Sequence, residues 1–334
     1  MLIYIGKRIL AAIPLLIILS IITFAIIQVP PGDYASRVKQ QAMSLGGLGE
    51  REAEQLAQNI RQRYGLDQPV VVQYFNWIGG IVTRGDFGYS FTHNKPVRDL
   101  IAERLPRTLA IALSAHVLAT LIGVGLGIYA ATRQNRLGDN AATVLAFLGM
   151  TIPRFFLALV ILYWLAFVIG SPNIGSLYSS QYVLAPWSLD KFIDLLKHIW
   201  PVLVIAAFGG LAYNLRVMRG NLLDVLKMQY VETARAKGLP NRTVILKHAV
   251  PNALHPLVMF QGVALPYMLT GELEVAIILA IPTVGPLLVQ SMTGQDIYVT
   301  ATLLLMLAVI LVIGNLLADI LLAAIDPRVR LGGA

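Results

Sequence analysis

Six long apolar runs, separated by polar stretches, recur along the chain. The runs cover residues 9–29, 106–131, 141–169, 200–218, 254–281 and 299–324. A helix of about 20 apolar residues crosses the hydrocarbon core of a bilayer, so each run predicts one transmembrane helix. Gly123, Gly125 and Gly127 in the second run are small residues of the kind that lets helices approach closely. The pattern predicts an all-α integral membrane protein with six transmembrane helices.

A polar segment, residues 31–105, separates the first two runs. It contains an amphipathic stretch, Glu50 to Tyr64, followed by turns rich in glycine. One turn spells Asp86-Phe87-Gly88, the triplet of protein kinases, but no other kinase motif accompanies it. We interpret the triplet as a turn and the whole segment as a small folded insertion.

Lysine and arginine indicate the orientation in the membrane, because cytoplasmic loops carry an excess of both. If the N-terminus is cytoplasmic, the two short outside loops carry only Lys191 and Lys197. Loops as long as 31–105 are largely exempt from this rule. An even number of spans then places both termini in the cytoplasm and the insertion in the periplasm.

The first apolar run predicts a retained helix and not a cleaved signal peptide. It extends from Ile9 to Val29, which is longer than the apolar core of a signal peptide. It ends in Pro30-Pro31 and lacks the small-residue cleavage site that a signal peptide needs.

Composition agrees with a membrane protein and limits its chemistry. The 334 residues are 57% hydrophobic and 13% charged, with a mean hydropathy of +0.69, whereas soluble domains are about 45–50% apolar and about 25% charged. The chain has no cysteine, which excludes disulfides and thiolate metal sites. We attribute the net charge of +8 to topology and anionic lipid and not to nucleic acid.

Motifs of catalysis are absent from the sequence. It contains no Gly-x-x-x-x-Gly-Lys-Ser/Thr phosphate loop, no His-Glu-x-x-His and no Gly-x-Ser-x-Gly. His116 is a single histidine in an apolar run, and we interpret it as a core residue or as one that hydrogen-bonds between helices and not as a catalytic residue. We therefore predict no catalytic residue, no metal site, no cofactor in this chain and no ATP hydrolysis by it. An intramembrane enzyme is the weakest interpretation.

The most informative segment is charged and lies between two apolar runs, from Tyr230 to Leu254. A charged stretch in that position lies outside the bilayer. Its turn, Gly238-Leu239-Pro240, predicts a pair of short helices, because glycine ends helices and proline cannot continue one. A structured loop on the cytoplasmic side is typical of a binding site for another protein.

This segment resembles the EAA motif of ATP-binding cassette (ABC) importer permeases. The matching residues are Glu232-Thr233-Ala234, Gly238 and Pro251. Further motifs resemble the permeases of the di/oligopeptide, nickel and opine type: Pro31-Gly32-Asp33, Tyr64-Gly65-Leu66-Asp67-Gln68-Pro69, Gly85-Asp86-Phe87-Gly88, Ala234-Arg235-Ala236-Lys237-Gly238-Leu239, Asn252-Ala253-Leu254 and Asp326-Pro327-Arg328. These motifs occur in this order, and the resemblance extends over nearly the whole chain.

The resemblance implies a type I ABC importer-like permease that forms half of a translocation pathway. Its parts would be a transmembrane helix at 1–30, a periplasmic insertion at 31–105, and a five-helix core at 106–330 whose cytoplasmic loop 219–253 docks an ATPase. The resemblance gives the docking role to these residues: Glu232, Thr233, Ala234, Arg235, Ala236, Lys237, Gly238 and Pro251. Glu232 would lie near a helix N-terminus, where a carboxylate is favoured.

The resemblance also implies partners and a location. The partners would be a second homologous permease, two ABC ATPase subunits, a periplasmic solute-binding protein and the lipid bilayer. ATP and Mg²⁺ would bind the ATPase subunits. The location would be a bacterial inner membrane.

The fifth run departs from the peptide-transport pattern. It contains Thr270-Gly271-Glu272-Leu273-Glu274-Val275-Ala276, with two glutamates earlier than the glutamate of peptide-type members. This run resembles an oligosaccharide-linked branch of the family, so peptide and oligosaccharide solutes both stay open. Ionisable residues within a span usually face a bundle interior or a wet cavity, which makes Glu272, Glu274 and Arg154 candidates for the translocation path. Two residues apart on a helix, the glutamates cannot share a face.

An ion-coupled secondary transporter is the alternative function. Such transporters have inverted repeats and broken helices near the membrane midplane. The sequence contains no internal repeat of the needed size, and the structured segment 230–254 would have no role. Copurification of an ATPase separates the two functions.

Overall fold

The computed structural model describes residues 2–45, 47–171 and 173–325. The first elements are the helices α1 (Leu2–Ile27), α2 (Tyr34–Ser44), α3 (Glu50–Tyr64) and α4 (Val70–Arg84), and the antiparallel two-residue strands β1 (Tyr89–Ser90) and β2 (Lys95–Pro96). The middle elements are α5 (Val97–Thr132), α6 (Leu137–Thr151), α7 (Arg154–Tyr163), a π-helical turn (Trp164–Ile169), a 3₁₀ turn (Ser180–Tyr182) and α8 (Leu189–Val225). The last are α9 (Gln229–Ala236), α10 (Asn241–Thr243), a second π-helical turn (Val244–Ala249), α11 (Val250–Ile278), α12 (Val284–Thr293) and α13 (Ile297–Ile325). The predicted all-α class is confirmed.

The chain divides into two compact units. Among the described residues, unit 1 comprises Arg107–Pro282 and residues 314–325. Unit 2 comprises Leu2–Pro106 and Thr283–Ile313. The segment Thr283–Ile313 therefore belongs with the N-terminal elements, a grouping that composition does not reveal. The C-terminal motif at 326–328 lies outside the described residues.

Helix α8 organises unit 1, where it packs against α6, α7 and α11. Helix α5 approaches α8 at two glycines. A Cβ atom at Gly123 would lie 2.6 Å from the Leu211 carbonyl oxygen, and one at Gly127 would lie 2.7 Å from the Cβ of Met218. Gly125 faces open space. The predicted close approach is confirmed for Gly123 and Gly127 and is wrong for Gly125.

The predicted third span, 141–169, is two helices and not one. Helices α6 and α7 meet at 103° across a short break. Pro153 has no N–H to continue the helix, and the residue before a proline is pushed out of the helical region. Ile152 is accordingly extended, with φ −75° and ψ 121°. The expectation of one continuous helix here is wrong.

Four helical stretches of the described chain are long and apolar enough to cross a membrane, and the bent pair α6–α7 would be a fifth. The four are Arg8–Ile27, Val97–Thr132, Leu189–Val225 and Ile297–Leu317. Helix α11 follows the predicted fifth span over most of its length. The count of six spans and the periplasmic position of the insertion stay predictions.

Unit 2 uses glycine and aspartate at its turns. Gly65 and Gly85 end α3 and α4 in the left-handed conformation, with φ of 67° and 63°. Asp33 caps α2, because its Oδ1 accepts hydrogen bonds from the N–H and the hydroxyl of Ser36 at 2.7 and 2.6 Å. Arg61 Nε donates to Oδ2 of the same carboxylate at 2.8 Å.

The segment between α4 and α5 is a second set of turns in unit 2. The Gly88 N–H donates to Asp86 Oδ1 at 2.9 Å, and Gly88 has a φ of 90°, which confirms that the kinase-like triplet is a turn. Buried Asp296, just before α13, accepts hydrogen bonds from the hydroxyls of Ser90 and Thr92 at 2.7 and 2.8 Å. These bonds fix the hairpin to the start of α13.

Candidate functional site

Residues 229–253, called the docking segment after the role that the sequence predicts for them, follow α8 and contain the sequence match to the EAA motif. Helix α9 ends at Ala236, and Gly238 then takes the left-handed conformation with φ 72°. The Gly238 N–H donates to the Arg235 carbonyl at 2.9 Å. The predicted helix, turn and second helix are therefore present.

The second helix of the docking segment is longer than predicted. Helix α10 continues through the π-helical turn into α11 without a break. Pro251 is the second residue of α11 and follows the π-helical turn, a local adjustment of the kind that lets a membrane helix accommodate a residue without an N–H. The second helix therefore links the turn at Gly238 directly to the predicted fifth span.

The inner face of the docking segment is apolar and buried. One cluster combines side chains of α9, the π-helical turn and α8: Val231, Ala234, Val244, Ala249, Met218 and Leu222. Asn221 Nδ2 adds a hydrogen bond across this junction, to the Ala253 carbonyl at 3.2 Å. Because packed interiors deform little, a force applied to the docking segment is transmitted to α8 and α11.

The outer face of the docking segment is exposed and mixes charged with apolar side chains. Its exposed residues include most of the predicted docking set: Glu232, Thr233, Arg235, Ala236, Lys237, Gly238 and Pro251. Tyr230, Leu239 and Leu246 are also exposed, at 44%, 37% and 49%. Ala234 is buried and supports α9 from within. Exposed aromatic and aliphatic residues among arginines are typical of a protein interface.

Glu232 lies in the first turn of α9, and Arg235 lies in its last turn. The helix dipole stabilises both charges, because its N-terminal end is positive and its C-terminal end is negative. The predicted position of Glu232 near a helix N-terminus is present in the structure.

The three candidates for the translocation path lie in different environments within unit 1. Glu272 is fully buried, whereas Glu274 is exposed, so the two glutamates lie on different faces of α11 as their spacing predicts. Arg154 is half-buried and is the first residue of α7. The structure therefore does not bring the three side chains to one point.

Arg154 lines a cavity of about 160 Å³ between α5, α7, α8 and α11. Its walls include His116, Gly209, Tyr213, Asn214, Phe260 and Gln261. The rings of Tyr213 and Phe260 stack with centroids 4.3 Å apart and form an apolar wall.

A polar chain links three helices beside this cavity, and sequence reasoning missed it. Thr120 Oγ1 donates to Gln261 Oε1 at 3.0 Å, and Gln261 Nε2 donates to Asn214 Oδ1 at 3.1 Å. Each residue is an isolated polar side chain in an apolar run. Because such groups are costly in a membrane unless they are paired, this isolation is a signal that could have found them.

Within the described ranges, no three histidine, aspartate or glutamate side chains lie close enough to hold a metal ion. Asp139 at the start of α6 is a buried acidic group that Arg219 holds in an ion pair. The sequence alone did not indicate this pairing of Arg219 with Asp139.

Comparison with known proteins assigns the family. Residues 123–331, more than half of the chain, match the family of binding-protein-dependent transport system inner membrane components, and residues 1–112 match the N-terminal family of the same membrane components. The chain belongs to this family and is a permease subunit of an ABC importer. It is accordingly a membrane protein with several apolar helices, as predicted.

Relatives match along the entire chain. The oligopeptide transport system permease protein of Bacillus subtilis (strain 168) is 34% identical over 328 residues, which cover 98% of this chain and 99% of the relative. The glutathione transport system permease protein of Shigella boydii serotype 4 is 32% identical over 331 residues, which cover 99% of each.

A solved structure shares the fold. An inward-facing structure of the MetNI methionine ABC transporter superposes with a TM-score of 0.52 over 68% of this chain and 96% of that one, at 18% identity. This likeness supports the type I importer fold that the sequence predicted.

Proposed function

We propose that this permease subunit forms half of a translocation pathway for a peptide or peptide-like solute. The names of the relatives support this solute class, since they are permeases for oligopeptides and glutathione. They give no support to the oligosaccharide interpretation of the fifth run, nor to nickel or opines. A second, homologous permease subunit would supply the other half of the pathway.

The docking segment would bind an ABC ATPase subunit, and the second permease would bind another. The observation that supports this proposal is that the two faces of the segment differ. Its inner face is fixed on α8, while its outer face presents Glu232, Arg235 and Lys237 beside exposed Tyr230 and Leu239. Charged groups on such a face can pair with opposite charges on the partner and orient it. ATP and Mg²⁺ would bind the ATPase subunits and not this chain.

The orientation proposed from basic residues completes the arrangement. Both termini and loop 219–253 would be cytoplasmic in a bacterial inner membrane, and segment 31–105 would be periplasmic. The insertion would then lie on the periplasmic side of the membrane, from which a solute-binding protein delivers the solute. The helix at 1–30 and the core at 106–330 would carry the membrane spans.

Transport would follow from rigid-body motion of packed helices. Closure of the ATPases on ATP would displace the docking segment, and the buried cluster with Met218 and Leu222 would pass that displacement to α8. Alternating access then exposes the path to one side at a time. Glu272 and Arg154 remain candidates for lining it, whereas Glu274 is directed outward in unit 1.

The experiment reconstitutes the transporter with its neighbouring subunits in lipid nanodiscs. ATP hydrolysis is measured with the binding protein loaded with peptides, with an oligosaccharide, or with nothing. Stimulation by the peptide-loaded protein alone is the expected result. Stimulation only by the oligosaccharide would overturn the solute class, and a chain that purifies without any ATPase would overturn the docking proposal.

A further inference from the structure

The guanidinium of Arg154 fills a slot made by two glycines. On α11, a Cβ atom at Gly271 would collide with the Arg154 Nη1. On α8, a Cβ atom at Gly209 would lie 3.4 Å from its Nε and Nη2. The arginine is therefore seated between two helices at a defined position and is not a freely moving surface side chain.

Arg154 has no opposite charge beside it in the part of the chain that the structure describes. Among those residues it makes no hydrogen bond or ion pair. A guanidinium stays protonated in proteins, so this charge persists inside the predicted third span. Charged groups at membrane depth face water or a partner of opposite charge, so the chemistry of this cavity suits an anion.

The start of α7 adds to the positive potential. Arg154 is its first residue, and no side chain caps the helix at Pro153. The first turn of a helix has N–H groups without partners within the helix, and its end of the helix dipole is positive. The bend of 103° between α6 and α7 places this helix start inside the predicted span and not at its edge.

The rest of the cavity suits the remainder of a peptide. Asn214 and Gln261 offer amide groups that match peptide N–H and C=O groups, and Tyr213 and Phe260 offer an apolar wall. A guanidinium fork pairs with a carboxylate through two parallel hydrogen bonds. The lining thus combines one anion anchor with amide and apolar surfaces.

We propose that Arg154 is a subsite for the carboxylate of the solute as it passes through the permease. This inference rests on the proposed function, since it names which part of a peptide-like solute the cavity recognises. Arg154 would hold the carboxylate while the amides of Asn214 and Gln261 contact the adjoining peptide unit.

The test uses the complete transporter in proteoliposomes and two probes, tetraalanine and tetraalanine amide. The amide lacks the terminal carboxylate and is otherwise the same peptide. Uptake is measured at saturating, fully loaded binding protein, so that differences in the affinity of that protein do not enter the rates. The variants are Arg154→Gln and Arg154→Lys, with Arg216→Gln as the matched control, because Arg216 is exposed on α8 outside this cavity.

The wild type is expected to transport the acid about tenfold faster than the amide, the effect of one charged hydrogen-bonded contact. Arg154→Gln should slow the acid to the rate of the amide and leave the amide rate unchanged. Arg154→Lys should retain part of the preference, and Arg216→Gln all of it. Copurification of the ATPase subunits with each variant reports a folded and assembled transporter, and Arg216→Gln should also keep the basal ATP hydrolysis of the wild type.

Three results would overturn the subsite. An unchanged ratio in Arg154→Gln would mean that the arginine does not contact the carboxylate. An equal loss for both probes would mean a structural role. A third result is that the wild type transports neither probe and that peptide-loaded binding protein does not stimulate ATP hydrolysis. That result would overturn both the proposed solute class and the subsite.

Discussion

Asp139 and Arg219, 80 residues apart in sequence, form a two-pronged ion pair between α6 and α8. Arg219 Nε donates to Oδ1 at 2.5 Å and Nη2 donates to Oδ2 at 2.9 Å. The Asn135 N–H donates to Oδ2 as well, at 2.9 Å. The pair therefore anchors both the start of α6 and the turn before it to the stretch of α8 that precedes the docking segment.

Loss of this pair should destabilise the protein. Arg219→Gln leaves Asp139 buried without an opposite charge, and we expect a cost of roughly 2–3 kcal/mol, below the ~3–5 kcal/mol of a fully buried pair. The lower figure reflects the 28% exposure of the Arg219 side chain. Thermal unfolding of the purified transporter measures the effect. Arg216→Gln is the control, and a variant as stable as that control would contradict the assignment.

The same pair predicts a pH dependence. Hydrogen bonds from Arg219, with a smaller contribution from the Asn135 N–H, hold the pKa of the Asp139 carboxyl below its usual range in spite of burial. Because the folded-state pKa is the lower one, the pair contributes fully above about pH 4 and its contribution is lost as the pH falls through the folded-state pKa. Unfolding midpoints of the wild type and Asp139→Asn should therefore differ near neutral pH and converge in acid. A difference that does not shrink on acidification would contradict this pKa.

Close packing of α5 on α8 gives a second stability prediction, with a control in the same helix. Gly123→Ala and Gly127→Ala each force a methyl group into α8 and should cost about 1–3 kcal/mol. Gly125→Ala enters open space and should cost nothing, because alanine favours helix over glycine. Thermal unfolding and the yield of folded protein compare the three. Equal behaviour at all three positions would show that the helices are not in contact there.

The turn of the docking segment gives a prediction about assembly. Gly238 has φ 72°, whereas the proline ring fixes φ near about −65°, so Gly238→Pro should destroy the turn. We expect a protein that inserts in the membrane but retains little ATPase on purification. Gly49→Pro is the control for backbone conformation, because Gly49 has a φ of −68° that proline can adopt, at the loss of one exposed hydrogen bond from its N–H to Glu52. If Gly238→Pro copurifies with a normal amount of ATPase, the turn is not part of the docking site.

Local features of the fold were predictable from sequence. Gly65 and Gly238 lie where a helix ends in the left-handed conformation, which glycine adopts without strain. The charged stretch between two apolar runs, with its turn at Gly238-Leu239-Pro240, located the docking segment. Each of these features depends on residues that are close together in the chain, so it can be recognised from the sequence alone.

Features that depend on distant residues were not predictable. The ion pair of Asp139 with Arg219 joins two helices, and the slot around Arg154 needs Gly209 and Gly271 from two others. The sharp bend at Pro153 was not predicted, because a proline in an apolar run is compatible with a mild kink as well as a sharp break. Only the packing of the helices decides between those outcomes.

The measurement that tests the account most directly is cysteine crosslinking in the assembled transporter. The chain has no cysteine, so a single introduced thiol reports one position. Arg235→Cys on the outer face of α9 and Arg51→Cys on α3 are both at exposed sites. We predict that the thiol at 235 crosslinks to the ATPase subunit, whereas the thiol at 51 does not and reacts with an impermeant maleimide from the periplasm. A crosslink from position 51, or periplasmic labelling at 235, would contradict both the docking site and the orientation.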